Sequence, residues 1–137
     1  DTLILGKNVW YEDPEELDID IVLEPEDIDA LIKAKNALSD IDNMLITTTN
    51  DFDGNNVCEF IFGDNTGFSN KITYQVNGGE IKDNTLSIPF NSDIFKDILN
   101  NNKDMDFCTL KLSNTGILKI EFESENIKSE YFVARNE

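Results

Sequence analysis

The side chains that could carry chemistry in this sequence are carboxylates, lysines and two cysteines, because histidine is absent. Without histidine, neither a Ser-His nor a Cys-His catalytic pair can form. No glycine-rich phosphate loop ending in Lys-Ser or Lys-Thr is present. A glycosidase-like carboxylate pair would not stand out among 28 acidic residues. The sequence therefore predicts a protein that is not an enzyme and needs no cofactor.

The segment Asp51-Phe-Asp-Gly-Asn-Asn56 resembles part of a calcium-binding loop. If Gly54 took the glycine position of such a loop, Phe60 would stand where a bidentate glutamate is required. If Asp51 came first, Asn56 would take the glycine position instead. Neither alignment fits, so the segment is predicted to be a hairpin turn, with a calcium-binding module as a third-ranked alternative.

Cys58 and Cys108 each lie inside a segment with the pattern of a strand. Small buried thiols in a reducing compartment are the first interpretation. A disulfide between them requires that their two strands be neighbours, which the sequence leaves open.

The lysines are more informative than the acids, because the chain carries 11 basic against 28 acidic residues and a net charge of −17. Lys33 and Lys35 lie in a helix predicted from Glu24 to Leu38, which opens with Pro25 at its first position. Lys33 points away from the apolar stripe of this helix, and Lys35 lies at its edge, where its ammonium should reach water. The stripe consists of Ile28, Leu31, Ile32 and Leu38.

A second helix is predicted from Ile94 to about Asn102, with N-cap chemistry supplied by Asn91-Ser92-Asp93. Lys96 lies in this helix and Lys103 just after it. Two helices side by side would present these lysines as a local positive strip in an acidic molecule. Such a strip would face a polyanion and contact its phosphates without reading sequence.

The elements that position the lysines form a repeat. Asp27, Ile28 and Ile32 recur as Asp93, Ile94 and Ile98, and each helix follows a short strand and precedes three more. Alternating patterns predict those strands. The predicted fold is therefore α+β, a doubled β-α-β-β-β unit with two helices on one face backed by antiparallel sheets. The predicted strands are 19–23, 44–49, 57–62, 72–76, 86–90, 107–112, 118–122 and 127–134.

With these elements in place, residues 19–135 resemble the carboxy-terminal domain of a DNA sliding clamp, most closely that of T-even-type bacteriophages. Three stretches carry the resemblance. The first is Pro25-Glu-Asp-Ile28 opening a helix that ends in Ala37-Leu38, followed by Leu45-Ile-Thr47. The second is Asn91 to Lys96, and the third is the ending Tyr131-Phe-Val-Ala134.

The resemblance implies a non-enzymatic processivity factor. Clamps form closed rings around double-stranded DNA, trimers in this branch, and they tether the replicative DNA polymerase after loading by a clamp-loader ATPase. The DNA-facing residues implied are Lys33, Lys35, Lys96 and Lys103. Phe132 and Ala134 would help form the pocket for the polymerase's tail peptide. The subunit-interface strand would consist of Lys71, Ile72, Thr73, Tyr74, Gln75 and Val76.

This sequence also departs from the family pattern. Asn36 stands where the phage clamp has a second basic residue in its first helix. Residues 1–18 are expected to be an interdomain connector with the end of a preceding domain, and residues 19–137 the clamp domain. No apolar run approaches membrane-spanning length, and a phage-encoded clamp would work in the host cytoplasm. The alternative is an acidic interaction protein, such as a DNA mimic, which would leave its lysines scattered.

Overall fold

The computed structural model describes residues 17–63, 71–77, 79–82 and 85–136, and the main chain of residues 2–5. Ten strands and two helices occupy these residues. The strands are β1 (Thr2–Leu5), β2 (Ile19–Leu23), β3 (Asn43–Asn50), β4 (Asn56–Gly63), β5 (Lys71–Val76), β6 (Glu80–Ile81), β7 (Ser87–Asn91), β8 (Phe107–Leu112), β9 (Ile117–Ser124) and β10 (Ile127–Ala134). The helices are α1 (Pro25–Ala37) and α2 (Ser92–Asn101).

The strands form two sheets with matching construction. The four-stranded sheet has the order β5-β4-β3-β7, and the six-stranded sheet has the order β1-β10-β9-β8-β2-β6. Each sheet contains three successive strands of one repeat unit, extended by the first strand of the other unit. The units are therefore related by a pseudo-twofold axis, and β1 and β6 are additions to this doubled β-α-β-β-β framework.

Both helices begin where their sequences favour it. Glu24 caps α1 through a capping box in which its main-chain N–H donates to Asp27 Oδ2 at 2.9 Å. Asn91 caps α2, its side-chain oxygen accepting from the N–H of Ile94 at 2.9 Å. The N-cap chemistry predicted at Asn91 is thus confirmed, although α2 begins at Ser92 rather than Ile94.

The core lies between the helices and the inward faces of both sheets. The two helices pack against each other, α1 also contacts β4 and β5, and α2 contacts β3 and β7. Phe95 of α2 stacks on Phe60 of β4 with ring centroids 5.8 Å apart, and both side chains are fully buried. Aromatic pairs of this kind add about 1 kcal/mol beyond the apolar area they bury.

The order of elements in the repeat was predicted correctly, but the predicted correspondence between the residues of the two units was shifted by one residue. Counted from the N-caps Glu24 and Asn91, Asp27 corresponds to Ile94 and not to Asp93. The buried helix positions then coincide, since Ile28 matches Phe95. The strand prediction omitted β6, whose two residues are too few to show a pattern, and did not assign a strand at β1.

Candidate functional site

Lys33 lies on the helical face that points away from the sheets, and Lys96 lies at the edge of that face. The Lys33 side chain is 79% exposed, and its ammonium lies 3.7 Å from Asp29 one turn earlier. An exposed pair of this kind contributes little, about 0.5 kcal/mol, so the ammonium is available to another anion. Lys96 is half-buried on the flank of α2, one turn after Asp93. These two lysines have the helical placement that the sequence predicted.

Lys35 does not reach water as expected. Its side chain is only 4% exposed, and its ammonium lies 3.1 Å from Asp93 Oδ1. The same ammonium donates to the carbonyl oxygens of Leu38 at 3.3 Å and Ser39 at 3.2 Å. The expectation was wrong about the ammonium because the neighbouring helix covers the edge of the apolar stripe. Lys35 joins the end of α1 to the start of α2 and presents no free charge to a ligand.

The internal repeat explains why a lysine is buried there. Counted from the N-caps, Lys35 corresponds to Asn102, which is also buried. Asn102 donates through Nδ2 to the carbonyl of Ile98 at 2.8 Å and to the hydroxyl of Tyr131 at 3.0 Å. Both units thus place one polar side chain at the buried end of the helix, where it donates to main-chain carbonyls at or just beyond that end. Aligning the repeat on the caps pairs Lys35 with Asn102 in the sequence, but the burial of both residues is visible only in the structure.

The remaining charges of the helical face are mixed. Lys103 is exposed in the turn after α2, outside the helix itself. Exposed carboxylates accompany the lysines on both helices: Glu26 and Asp29 on α1, and Asp93 and Asp97 on α2. The face therefore carries individual cations between anions, and not an uninterrupted basic strip.

The β5 edge was the predicted subunit-interface strand. Lys71, Thr73 and Gln75 are exposed, whereas Ile72 and Tyr74 turn toward the core. The Tyr74 hydroxyl donates to Asp27 Oδ1 at 2.5 Å. This hydrogen bond, with smaller contributions from burial and nearby carboxylates, raises the pKa of Tyr74 to about 12. Asp27 thus holds the first turn of α1 and the edge strand together.

Phe132 and Ala134 lie on the face of β10 opposite to the core. Tyr131 points inward and meets Phe122 edge to face, so its neighbour Phe132 points to the other side. Phe132 is nevertheless only 4% exposed, and the Lys119 ammonium lies 5.5 Å from its ring centroid. Ala134 is half-buried. Both residues share one face of β10, and their role in a peptide pocket stays a prediction.

Next to Phe132 lies a lysine–glutamate network, which consists of Lys111, Lys119, Lys128, Glu121 and Glu130. Glu121 is 3.0 Å from Lys111, 3.3 Å from Lys119 and 3.6 Å from Lys128. Burial alone would raise the pKa of Glu121, but the ammonium groups of Lys111 and Lys119 outweigh it and hold that pKa below its ordinary value. Sequence reasoning missed this network, because its members come from three strands and meet only through their register.

The two cysteines and the segment from Asp51 to Asn56, which the sequence offered as a thiol site and a calcium loop, have structural roles. Cys58 and Cys108 are free and buried, and they lie in different sheets, in β4 and β8. Burial raises the pKa of each thiol to about 12, so neither is a ready nucleophile. The Asp51 carboxylate accepts from the N–H groups of Asp53 and Asn55, each at 2.9 Å. The predicted hairpin turn is confirmed.

Comparison with known proteins supports the fold. No family model matches the sequence, and no curated protein matches it. Among solved structures, the chain is similar to the Helicobacter pylori beta clamp bound to a DNA ligase peptide, with a TM-score of 0.56 and 15% identity. The match covers 95% of this chain and 34% of that one, so this chain spans about a third of the bacterial clamp's length. The predicted α+β fold is thereby confirmed: the chain has a clamp-like fold.

Proposed function

We propose that this chain is a domain of a DNA sliding clamp subunit, a non-enzymatic factor that encircles duplex DNA and tethers the replicative polymerase. The observation that carries the proposal is the doubled unit, in which two paired helices are backed by two sheets. The structural match to a bacterial beta clamp covers 95% of this chain. The sequence motifs further favour the phage branch. In that branch the subunit is a trimer, loaded by an ATPase in the host cytoplasm.

In this proposal Lys33 and Lys96 contact DNA phosphates, and Lys103 extends the contact beyond α2. Lys35 is left out, because its charge is held by Asp93. A small number of DNA-facing lysines suits a ring that must slide, since each phosphate contact adds affinity for DNA and salt dependence. Closure of a ring, and not tight binding, would then hold the protein on DNA.

Charge reversal tests the DNA contact. Lys33→Glu and Lys96→Glu should each weaken binding of a duplex oligonucleotide and lower the salt slope of log K by about 1. Lys82→Glu is the matched control, because Lys82 is exposed, lies outside the helices and changes the net charge equally. In primer extension by the cognate polymerase, the double reversal should shorten products. Equal losses for all three single variants would show a general charge effect and remove the helical face from the proposal.

Two further parts of the proposal concern protein partners. The exposed β5 edge suits pairing with the next subunit, which would use an edge that otherwise invites aggregation. Phe132 and Ala134 suit a pocket for a partner peptide, here from the polymerase. The bacterial clamp was solved with a DNA ligase peptide, and clamps of one fold can share this mode of recruitment.

A second candidate is an acidic interaction protein that occupies a nucleic-acid-binding partner. The exposed carboxylates of the helical face favour it: Glu26, Asp29, Asp93 and Asp97. Such a protein would bind no duplex DNA, and Lys33→Glu would leave its partner affinity unchanged or raise it. The DNA titration of the charge-reversal variants therefore separates the two functions.

A further inference from the structure

Two apolar side chains interrupt the polar outer face of the six-stranded sheet. Ile21 and Leu23 of β2 are buried, so Val22 between them points to the opposite face, where it is 52% exposed. Cys108 of β8 is likewise buried, and its neighbour Phe107 is 66% exposed on that outer face. Most other outer positions of β8 and β9 are occupied by threonine, lysine and glutamate. Val22 and Phe107 therefore depart from the usual pattern of apolar residues facing inward and polar residues facing outward.

The two exposed side chains are neighbours across the β2–β8 ladder. Val22 lies directly opposite Thr109, and Phe107 is two residues before Thr109 on the same face of β8. Diagonal neighbours of this kind lie about 7 Å apart, which is within reach of an aromatic ring. β8 is an interior strand, with β2 on one side and β9 on the other. Val22 and Phe107 thus form one apolar patch, which we call the outer patch, on the body of the sheet and not on a loop.

Carboxylates stand at the margin of the outer patch. Glu123 lies directly opposite Phe107 and its side chain is 58% exposed. Asp106, which comes just before Phe107, is also exposed. Glu24, which comes two residues after Val22, is exposed as well. A ligand that covers the two apolar side chains therefore meets negative charge at their margin.

The lysines of the same sheet face are already engaged in the lysine–glutamate network. The Lys111 ammonium lies 3.0 Å from Glu121. The Lys128 ammonium lies 3.2 Å from Glu130 but 4.0 Å from Glu123. Glu123 is therefore only weakly engaged by Lys128 and keeps most of its charge available to a ligand. The ligand charge that complements the margin of the outer patch is positive.

The main chain beneath Phe107 is not free to pair with a partner strand. β8 pairs with β2 on one side and with β9 on the other, so its N–H and carbonyl groups are used within the sheet. A partner strand recognises a sheet by main-chain pairing only at an edge. A helix satisfies its own main chain and presents an apolar stripe between polar flanks. An amphipathic helix is thus the element that suits an apolar patch on a sheet face.

We propose that the outer patch is a docking surface for a basic amphipathic helix of a partner protein. Apolar side chains of that helix cover Val22 and Phe107, and lysines or arginines on its flanks meet the carboxylates at the margin. The patch lies on β2 and β8, whereas Phe132 and Ala134 lie on β10, two strands away from β8. This docking surface is therefore separate from the proposed peptide pocket and from the helical face, and it does not depend on the proposed clamp function.

A synthetic helical peptide tests this in titrations of the full chain followed by amide NMR spectra. The peptide carries leucines along one face and lysines on its flanks, and a companion peptide replaces the leucines by glutamine and keeps the charge. With the leucine peptide we expect saturable shift changes centred on Val22 and Phe107. Phe107→Ser should raise the dissociation constant at least about tenfold, as expected for an anchor residue, and Val22→Ser should raise it by a smaller factor. Phe52→Ser is the matched control, because Phe52 is fully exposed in the turn between β3 and β4.

Three results would overturn the docking surface. The first is a set of shift changes that spread over the exposed carboxylates without saturation, or that the glutamine peptide reproduces, because either shows general charge attraction. The second is a set of shift changes centred on Phe132 and Ala134, which would assign the peptide to the proposed pocket. The third is an equal loss of affinity for Phe107→Ser and Phe52→Ser. Both variants should melt at the temperature of the parent chain, and if Phe107→Ser melts lower, the affinity of Val22→Ser decides instead.

Discussion

The buried ion pair between Lys35 and Asp93 provides a quantitative test of the described helix packing. The pair is asymmetric, because the Lys35 side chain is 4% exposed and that of Asp93 is 56% exposed. Removing the aspartate leaves a buried ammonium without its anion, which is costly, whereas removing the lysine leaves a carboxylate that water can solvate. The two single substitutions should therefore differ strongly in effect.

The magnitude follows from the position of each group. Breaking a fully buried pair from one side costs about 3–5 kcal/mol, and the exposure of Asp93 reduces this to about 2 kcal/mol. Asp93 also lies in the first turn of α2, where its interaction with the helix dipole contributes about 0.5 kcal/mol. Asp93→Asn should thus destabilise the protein by about 2–3 kcal/mol. In a Lys35→Met background the same change should cost only the dipole contribution of about 0.5 kcal/mol.

A double-mutant cycle measured by urea unfolding at pH 7 gives the coupling directly. We expect a coupling free energy of about 2 kcal/mol between Lys35 and Asp93. Asp97→Asn, an exposed position one turn along the same helix, should change stability by less than about 0.5 kcal/mol. A coupling below about 0.5 kcal/mol would show that the Lys35 ammonium is solvated, and would return Lys35 to the candidate DNA contacts.

Two further predictions concern the other polar clusters. The pKa of Tyr74 is raised to about 12 by its hydrogen bond to Asp27. The stability that this bond contributes is therefore present below pH 10 and is lost as pH rises toward 12. Tyr74→Phe should remove this pH dependence from the melting temperature measured in thermal melts. Glu121→Gln should destabilise the chain by about 2 kcal/mol in urea unfolding, because the buried Lys119 ammonium loses its nearer carboxylate and keeps Glu130 at 3.9 Å. Since the pKa of Glu121 is lowered, its contribution should disappear as pH falls through that pKa, and a variant with unchanged acid unfolding would contradict this.

Local signals were sufficient to predict most of the fold. Helix caps and alternating apolar residues place α1, α2 and eight of the strands, because these features act within a few residues of each other. The strand β10 was predicted with the bounds that the structure shows. Residues 6–16, the greater part of the predicted connector, lie outside the described residues, and the domain boundary at 18–19 remains a proposal.

The site depended on long-range contacts and was less predictable. The periodicity of α1 placed Lys35 at the edge of an apolar stripe, but only the packing of α2 decides whether that edge is covered. The lysine–glutamate network likewise depends on strand register, which sets Lys111 opposite Lys119. Such contacts join residues that are distant in sequence, so composition and spacing carry little information about them.

The proposed DNA contact is tested most directly by mapping the protein surface that duplex DNA approaches. In amide NMR spectra recorded during titration with a duplex oligonucleotide at low salt, the largest shift changes should fall on the exposed faces of α1 and α2, around Lys33 and Lys96. They should shrink as salt is raised, and Lys33→Glu should reduce them more than Lys82→Glu. Shift changes confined to the outer faces of the sheets, or none at all under these conditions, would contradict a helical face that lines DNA.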